Sequence, residues 1–332
     1  MNTNQPTSER IMLLATGYWA TGILGAAASH SLFTHLDAGA DTADQLAGRA
    51  EISERGAQTL LDGLVSLGLV EVHGGRYRNS ADATAYLVEG KPTCLSNFAK
   101  LKMGHMSALA DLPEVVRVGR PLTNAVVEVA DNPHWEGIVT AIAAQAVPVA
   151  TIAAETLRLA DAGEISILDI GGGSGIYSAT WLGLNPVARS TQLDWRPINA
   201  IAGRLVAEAG MAERFTCVNG DFHTTDFGTA AYDVAVYSHI AHQEGPDDNI
   251  AIFAKLRGAL KPGGTLVISD YVVDDDRSGP AFPLIFGAEM LLKSKQGGAW
   301  RRADYQAWLA KAGFDDVTFQ PTSSPATLIF AR

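Results

Sequence analysis

The chain has 332 residues, of which 47% are hydrophobic and 18% are charged, and this composition excludes an intrinsically disordered protein. The formal net charge of −11 disfavours a nucleic-acid partner, because binding phosphates requires clustered lysine and arginine. The two cysteines, Cys94 and Cys217, share no motif spacing, so we expect neither a disulfide scaffold nor a cysteine-based zinc site. This cysteine usage predicts a reducing, cytoplasmic location.

The segment from Ile11 to Leu36 contains no Asp, Glu, Lys or Arg. It is long enough to span a bilayer, which takes about 20 apolar residues, but glycine, serine and threonine dilute its apolar content. A signal peptide is not expected, because the first ten residues are polar. We interpret the segment as a buried helix and expect no membrane association. A helix that is apolar on most faces must bury them all, so we predict that a second subunit covers it in a homodimer.

Residues 42–78 follow the element order of a winged helix. A short helix is expected after Thr42, and Ser53 is expected to cap a second helix that ends at Gly68. One face of the second helix carries Leu60, Leu61, Leu64 and Leu67. A tight hairpin should follow, with strands at 69–72 and 76–78. Such a module can bind DNA, but this helix offers only Arg55 as a cation, so we favour a structural or dimerising module.

The rest of the chain divides into a helical stretch and a region of alternating strands and helices. Residues 81–160 are expected to be helical, with breaks at 90–92, 119–121 and 131–133. Beyond them, strands are expected at 165–170, 190–194, 215–218, 232–237 and 265–270. Repeated βα units predict a Rossmann-like, doubly wound parallel sheet, to which the tail adds an antiparallel pair at 317–319 and 326–330. We therefore predict a winged-helix-like dimerisation domain, a helical connector and an α/β domain, at residues 1–100, 101–160 and 161–332.

A glycine-rich loop follows the first strand of the predicted sheet. Asp169 precedes this loop, which contains Gly171, Gly173 and Gly175. Glycines let a ligand approach the backbone, and ligands of such sheets bind beyond the carboxyl ends of the strands. The third glycine comes one position earlier than in the dinucleotide fingerprint G-x-G-x-x-G. A carboxylate before the loop also suits an ammonium group better than a pyrophosphate, which disfavours a nicotinamide-dependent dehydrogenase.

Acidic residues also follow the next two predicted strands. Asp194 lies where a carboxylate accepts hydrogen bonds from a ribose diol. After the third strand, Asp221 offers a carboxylate for an adenine amino group, and Phe222 offers an aromatic face for the ring. An ammonium group, a ribose and an adenine together describe S-adenosylmethionine.

With these motifs, residues 165–270 resemble a class I S-adenosylmethionine-dependent methyltransferase. The whole chain resembles the small-molecule O-methyltransferase family of plant caffeate-type and bacterial antibiotic-tailoring enzymes, because that family's dimerisation domain is similar at 15–20, 64–70 and 118–121. The resemblance implies S-adenosyl-L-methionine as cofactor and S-adenosyl-L-homocysteine as product. It also implies a cofactor site that contains Asp169, Gly171, Gly173, Gly175, Asp194, Trp195, Gly220, Asp221, Phe222, Ser238 and His239.

Methyl transfer to a neutral hydroxyl benefits from a general base, and histidine suits this role because it titrates near neutrality. The resemblance places the family's histidine at His242, with His239 as a nearby alternative. The sequence then departs from the family pattern, because Gln243 and Glu244 stand where Asp or His and an aromatic residue are usual. His242 could therefore instead line or cap the pocket. A metal pair is a further alternative, but no third ligand is apparent by spacing, so we expect no metal.

The segment 286–292 resembles the helix that lines the family's acceptor pocket. Glu289 on this helix could orient the base or the acceptor, or could be a solvated carboxylate. The candidates for contact with a planar acceptor are Trp135, His239, Phe286 and Met290. We predict methyl transfer to a hydroxyl of a small aromatic secondary metabolite. The alternatives are N- or C-methylation on the same scaffold and a non-catalytic cofactor-binding or winged-helix regulatory protein.

Overall fold

The computed structural model describes residues 7–123 and 134–332. The chain forms two units, Met1–Leu109 and Ala110–Arg332. The second unit thus includes most of the segment predicted as a connector, and the three-part division remains a prediction. The helix break predicted at 131–133 lies outside the described residues.

Helices and one hairpin make up the first unit. Its elements are α1 Glu9–Ala15, α2 Tyr18–Ser29, α3 Leu32–Asp37, α4 Ala43–Ala50, α5 Glu54–Ser66, β1 Val70–His73, β2 Arg76–Asn79, α6 Ala81–Tyr86 and α7 Ser96–Gly104. The winged-helix order of α4, α5 and the hairpin agrees with the prediction. The Ser53 hydroxyl caps α5 by accepting from a backbone N–H of the first turn. Leu61 and Leu64 are fully buried, but Leu67 is 41% exposed because α5 ends before it.

The uncharged segment from Ile11 to Leu36 does not form one buried helix, contrary to our prediction. The helical structure of this segment is interrupted at Gly17 and again at Ser31. The φ of Ser31 is +51°, which lies in the left-handed region. The later helices bury apolar side chains, whereas α1 has no buried residue. Four of its side chains, 64–73% exposed, form what we call the α1 apolar surface: Ile11, Met12, Leu13 and Leu14.

A seven-stranded sheet forms the centre of the described part of the second unit, in the order β5-β4-β3-β6-β7-β9-β8. The strands are β3 Ser166–Ile170, β4 Arg189–Asp194, β5 Phe215–Asn219, β6 Tyr232–Ser238, β7 Leu260–Asp270, β8 Val317–Pro321 and β9 Thr327–Ala331. β3 to β7 are parallel, and β9 is antiparallel to both β7 and β8. The predicted fold class is confirmed, with β7 beginning earlier than expected.

Helices cover both faces of this sheet. The helices described in this unit are α8 Leu112–Val118, α9 His134–Thr156, α10 Ile176–Leu184, α11 Arg196–Glu208, α12 Pro246–Ala259, α13 Ala281–Lys293 and α14 Arg302–Lys311. On one face α9 and α10 pack over Ile167 and Val236, and on the other α12 and α14 pack over Leu168 and Tyr237. Because neighbouring strand residues point to opposite faces, the strands are buried on both sides.

One described helical stretch, Gly137–Thr156 in α9, has the length and apolar composition of a membrane span. α1 and α2 would pass the same test together, although they are bent by 43°. In α9, Val149, Ala150 and Ala153 are buried against the sheet, and the Ala150 carbonyl accepts a hydrogen bond from the Trp181 indole. The end of α9 thus forms part of the core of the second unit.

Candidate active site

The glycine loop leaves β3 in a tight turn. Gly171, Gly173 and Gly175 have φ values of +62°, +58° and +73°, a region that side chains other than glycine adopt at a cost. At Gly172 a side chain is excluded by steric contacts, because an added Cβ would lie 2.5 Å from the Gln192 side-chain oxygen and 2.7 Å from Asp169 Cγ. The glycines therefore bring the loop backbone close to the ends of β3 and β4.

Asp169 lies within β3 and is 1% exposed. One carboxylate oxygen accepts a hydrogen bond of 2.8 Å from the Ser178 hydroxyl, and the other has no hydrogen-bond partner among the described residues. Burial raises the pKa of Asp169 to about 7, and the nearby Asp194 carboxylate adds to this rise while Ser178 opposes it. A buried carboxylate with a free oxygen is suited to a positively charged partner.

Asp194 ends β4, and backbone groups of its surroundings hold its carboxylate. Its two oxygens accept from the N–H groups of Gly173, at 2.9 Å, and Trp195, at 2.7 Å. Burial raises the pKa of Asp194 to about 6, although these two hydrogen bonds oppose the rise. Trp195 contacts Trp135 edge-on at 5.9 Å, within an apolar cluster that includes Ile198. Trp135 therefore packs beside Trp195, the residue that follows Asp194. Its role in acceptor binding remains a prediction.

The end of β5 meets the end of β4, where Gly220 N–H donates to the Asp194 carbonyl. Asp221 is exposed, and its carboxylate accepts from the backbone N–H of His223. The Phe222 ring is half-buried and meets Tyr237 edge-on at 6.3 Å. The predicted cofactor residues from Asp169 to Phe222 therefore lie at or just beyond the carboxyl ends of the neighbouring strands β3, β4 and β5.

His239 follows Ser238, the last residue of β6, and has a φ of +56°. Its backbone N–H donates to the Ser269 carbonyl at 2.8 Å, which fixes this left-handed turn. The ring contacts that of Tyr271 at a tilt of 53°, with ring centres 4.8 Å apart, and Nδ1 is 3.9 Å from Asp270 Oδ1. Desolvation lowers the pKa of His239 to about 4, despite the opposing Asp270 charge. His239 is therefore a weak base.

His242 and Asp270 form a buried pair at the ends of β6 and β7. His242 Nδ1 lies 2.6 Å from Asp270 Oδ1, and the backbone N–H of His242 donates to Oδ2 at 3.0 Å. Asp270 also accepts from the Tyr271 N–H at 2.7 Å and from the Tyr305 hydroxyl at 3.1 Å. Burial alone would raise the pKa of Asp270, but His242, His239 and the Tyr271 N–H together outweigh this and hold that pKa below its usual value.

The ionised Asp270 carboxylate fixes the tautomer of its partner. A carboxylate only accepts hydrogen bonds, so Nδ1 of His242 must carry the proton that lies between them. Nε2 of a neutral His242 is then the nitrogen with a free lone pair. The pair thus presents an imidazole nitrogen with a free lone pair, on a ring whose orientation is fixed by a buried carboxylate.

Aromatic side chains surround the His242 ring. Phe286 meets it edge-on at 4.8 Å, and Tyr271 stacks against it at 5.8 Å. Phe282 lies 5.0 Å from Tyr271 and is 43% exposed, so the cluster reaches the surface. Met290, predicted to contact the acceptor, is only 4% exposed and so packs mainly within the unit.

Comparison with known proteins agrees with this arrangement. Residues 143–315 match the O-methyltransferase domain, and residues 12–89 match the O-methyltransferase dimerisation domain. The chain belongs to the O-methyltransferase family.

The enzyme is 32% identical over 327 residues to 3-hydroxy-5-methyl-1-naphthoate 3-O-methyltransferase of Streptomyces sahachiroi, covering 94% of this chain and 91% of that protein. It is 30% identical to the tetracenomycin polyketide synthesis 8-O-methyl transferase TcmO of Streptomyces glaucescens, with coverage of 97% and 96%. Human N-acetylserotonin methyltransferase, solved in complex with S-adenosylmethionine, shares the fold with a TM-score of 0.84, 23% identity and coverage of 100% and 99%. The predicted S-adenosylmethionine-dependent O-methyltransferase activity is confirmed.

The structure adds two findings about His242 in this O-methyltransferase. The carboxylate bonded to His242 is Asp270, whereas Glu289 forms an ion pair with Lys293 at a nitrogen–oxygen distance of 2.7 Å, so the role of Glu289 toward the base or the acceptor remains a prediction. A third potential metal ligand also exists, because Asp270 joins His239 and His242 from a distant part of the sequence. The sequence reasoning missed Asp270, although an acidic residue at the carboxyl end of a buried parallel strand was a usable signal.

Proposed function

We propose that this O-methyltransferase methylates a hydroxyl of a small aromatic acceptor, with His242 as general base and Asp270 as the residue that positions it. The observation that carries this proposal is the 2.6 Å contact between His242 Nδ1 and Asp270 Oδ1 inside an aromatic cluster. A positioned base of this kind typically contributes about 10²–10⁴-fold to a rate.

The base would act through Nε2, which has the free lone pair. Nε2 would take the proton of the acceptor hydroxyl, and the Asp270 charge would stabilise the imidazolium that forms. Phe286 and Tyr271 would hold a planar ring beside His242 and exclude water from the reacting oxygen. His239, which contacts Tyr271, would border both the acceptor and the cofactor.

The strand ends fit the chemistry of S-adenosylmethionine. The partnerless buried oxygen of Asp169 suits its ammonium group, and the Asp194 carboxylate suits the ribose hydroxyls. Asp221 and Phe222 would hold the adenine. The remaining proposed contacts are Gly171, Gly173, Gly175, Trp195, Gly220 and Ser238. When bound, the cofactor supplies a methyl group on a sulfonium, which is a good leaving group.

An aromatic secondary metabolite is the acceptor class that the site favours. Three aromatic rings, Tyr271, Phe282 and Phe286, approach one another within 4.7–6.3 Å and make a largely apolar surface next to His242. The two Streptomyces relatives are named for a hydroxynaphthoate, which has two fused aromatic rings, and for tetracenomycin polyketide synthesis. We therefore propose a hydroxylated polycyclic aromatic acceptor, bound against Phe286.

The test is a methyl-transfer screen against hydroxylated naphthoates, anthracyclic phenols and matched aromatic amines, followed by His242→Ala. We expect transfer to a hydroxyl and a loss of at least 100-fold in turnover in the variant, with cofactor affinity retained. Exclusive transfer to amines or carbon would contradict the hydroxyl acceptor. Near-normal turnover in the variant would contradict the role of His242 as base.

We also propose a homodimer, formed through the region that matches the dimerisation domain, residues 12–89. The α1 apolar surface supports this, because four adjacent large apolar side chains are exposed in the single chain. The free, half-buried cysteines Cys94 and Cys217 support a cytoplasmic location, where thiols remain reduced.

A further inference from the structure

Three metal-ligating side chains converge at the ends of β6 and β7. One ligand atom from each of His239, His242 and Asp270 lies within 4.8 Å of the other two. The distances from Asp270 Oδ1 are 2.6 Å to His242 Nδ1 and 3.9 Å to His239 Nδ1. Ligands of a tetrahedral zinc ion, bound at about 2.0–2.1 Å, are roughly 3.3 Å apart. The two distances to Asp270 Oδ1 bracket this value, and the ligand atoms of the two histidines lie within 4.8 Å of each other, so binding an ion would require the side chains to rearrange by about 1 Å.

Surrounding hydrogen bonds hold the carboxylate and one histidine in place. The Tyr271 N–H and the Tyr305 hydroxyl fix the two oxygens of Asp270, as outer-shell groups do in metal sites. The bond from the His239 N–H to the Ser269 carbonyl holds His239 in its left-handed conformation. The His239 side chain is 23% exposed, which gives an ion a path from solvent. Two imidazoles and one carboxylate suit zinc and similar divalent ions better than magnesium or calcium.

We propose that His239, His242 and Asp270 form an inhibitory binding site for a zinc-class divalent ion. The ion would take the position between Nδ1 of His242 and the Asp270 carboxylate, forming a bond to each. The proton that Nδ1 carries would move to Nε2 of the same ring, and no proton would be lost. Nε2 would then have no lone pair for the acceptor hydroxyl, so metal binding would stop the base. This inhibition rests on the proposed function, whereas the site itself does not.

The test measures metal binding and activity separately, in full-length protein with both cysteines replaced by serine. Equilibrium dialysis against chelator-buffered Zn²⁺ should show one tight site, and Co²⁺ should give a visible absorption band from the same site. His239→Asn should weaken Zn²⁺ binding at least tenfold, and so should Asp270→Asn if that variant folds. His73→Asn is the matched control, because His73 is a highly exposed surface imidazole, and it should bind Zn²⁺ like the parent.

Inhibition by Zn²⁺ is measured for each protein relative to its own methyl-transfer rate in the presence of chelator. The parent should lose at least 90% of its activity at saturating Zn²⁺, and His239→Asn should need at least tenfold more metal for the same loss. Unchanged Zn²⁺ affinity in His239→Asn would overturn the site. Tight Zn²⁺ binding that leaves the methyl-transfer rate of the parent unchanged, or raises it, would overturn the inhibitory role. The hypothesis that His242 is the base is tested separately, with His242→Ala.

Discussion

Asp270→Asn is the substitution that most directly tests the mechanism. The carboxylate accepts four hydrogen bonds, two at Oδ1 from His242 Nδ1 and Tyr271, and two at Oδ2 from the His242 backbone and Tyr305. An asparagine of the same shape has one oxygen and one NH₂ group. In either orientation the NH₂ group faces a buried backbone N–H, which costs about 1–3 kcal/mol.

Both orientations of the asparagine would also impair the base. If the amide nitrogen lies at the Oδ1 position, Nδ1 of His242 must become an acceptor, and the proton moves to Nε2. If the oxygen lies there, the tautomer is kept but the negative charge is lost. At an effective dielectric constant of 20, a unit charge about 4 Å away contributes roughly 4 kcal/mol, which corresponds to about 10³-fold in rate.

We therefore expect Asp270→Asn to lower kcat by about 10²–10⁴-fold, measured as methyl transfer at saturating cofactor. Circular dichroism and calorimetric cofactor binding would establish that the variant is folded and that the cofactor site is intact. Tyr305→Phe is the control, since it removes one donor to Oδ2 but keeps the charge and the His242 contact, and it should cost less than about tenfold in kcat. A folded Asp270→Asn variant with kcat within threefold of the parent would refute the reasoning.

Three further predictions concern the cofactor site and the dimer. Because burial raises the pKa of Asp169 to about 7, its carboxylate gains charge as pH rises, so calorimetry should show cofactor binding tightening about tenfold from pH 5.5 to 7. An equally steep profile in Asp169→Asn would contradict this assignment. Gly172→Ala should weaken cofactor binding at least tenfold, because the new Cβ meets buried groups, whereas Gly203→Ala, with open space, should not. Leu14→Glu in the α1 apolar surface should shift sedimentation from dimer to monomer, while Val187→Glu, a change at an apolar side chain that is 50% exposed in the other unit, should leave a dimer. An unchanged dimer in Leu14→Glu would exclude this surface from the interface.

Local patterns in the sequence were sufficient to predict the secondary-structure elements and the cofactor. Alternating strands and helices predicted the sheet, and Asp169 and Asp194 were proposed as cofactor residues because ligands of parallel sheets bind at strand ends. Short-range rules also gave the Ser53 cap, because capping depends on a few neighbouring residues.

Only the tertiary structure decided the environment of His242 and the exposure of α1. Asp270 is 28 residues after His242, and β6 and β7 must pair before the two side chains meet, so spacing could not reveal the contact. The same pairing brings His239 to both of them and creates a three-ligand cluster that the sequence had led us to reject. The apolar run from Ile11 to Leu36 predicted burial. Burial, however, depends on which surfaces pack together in the folded chain, and no residue of α1 belongs to the core of its unit. Composition, periodicity and the motifs at the strand ends thus determined the fold and the methyl donor, whereas long-range packing determined which carboxylate contacts His242.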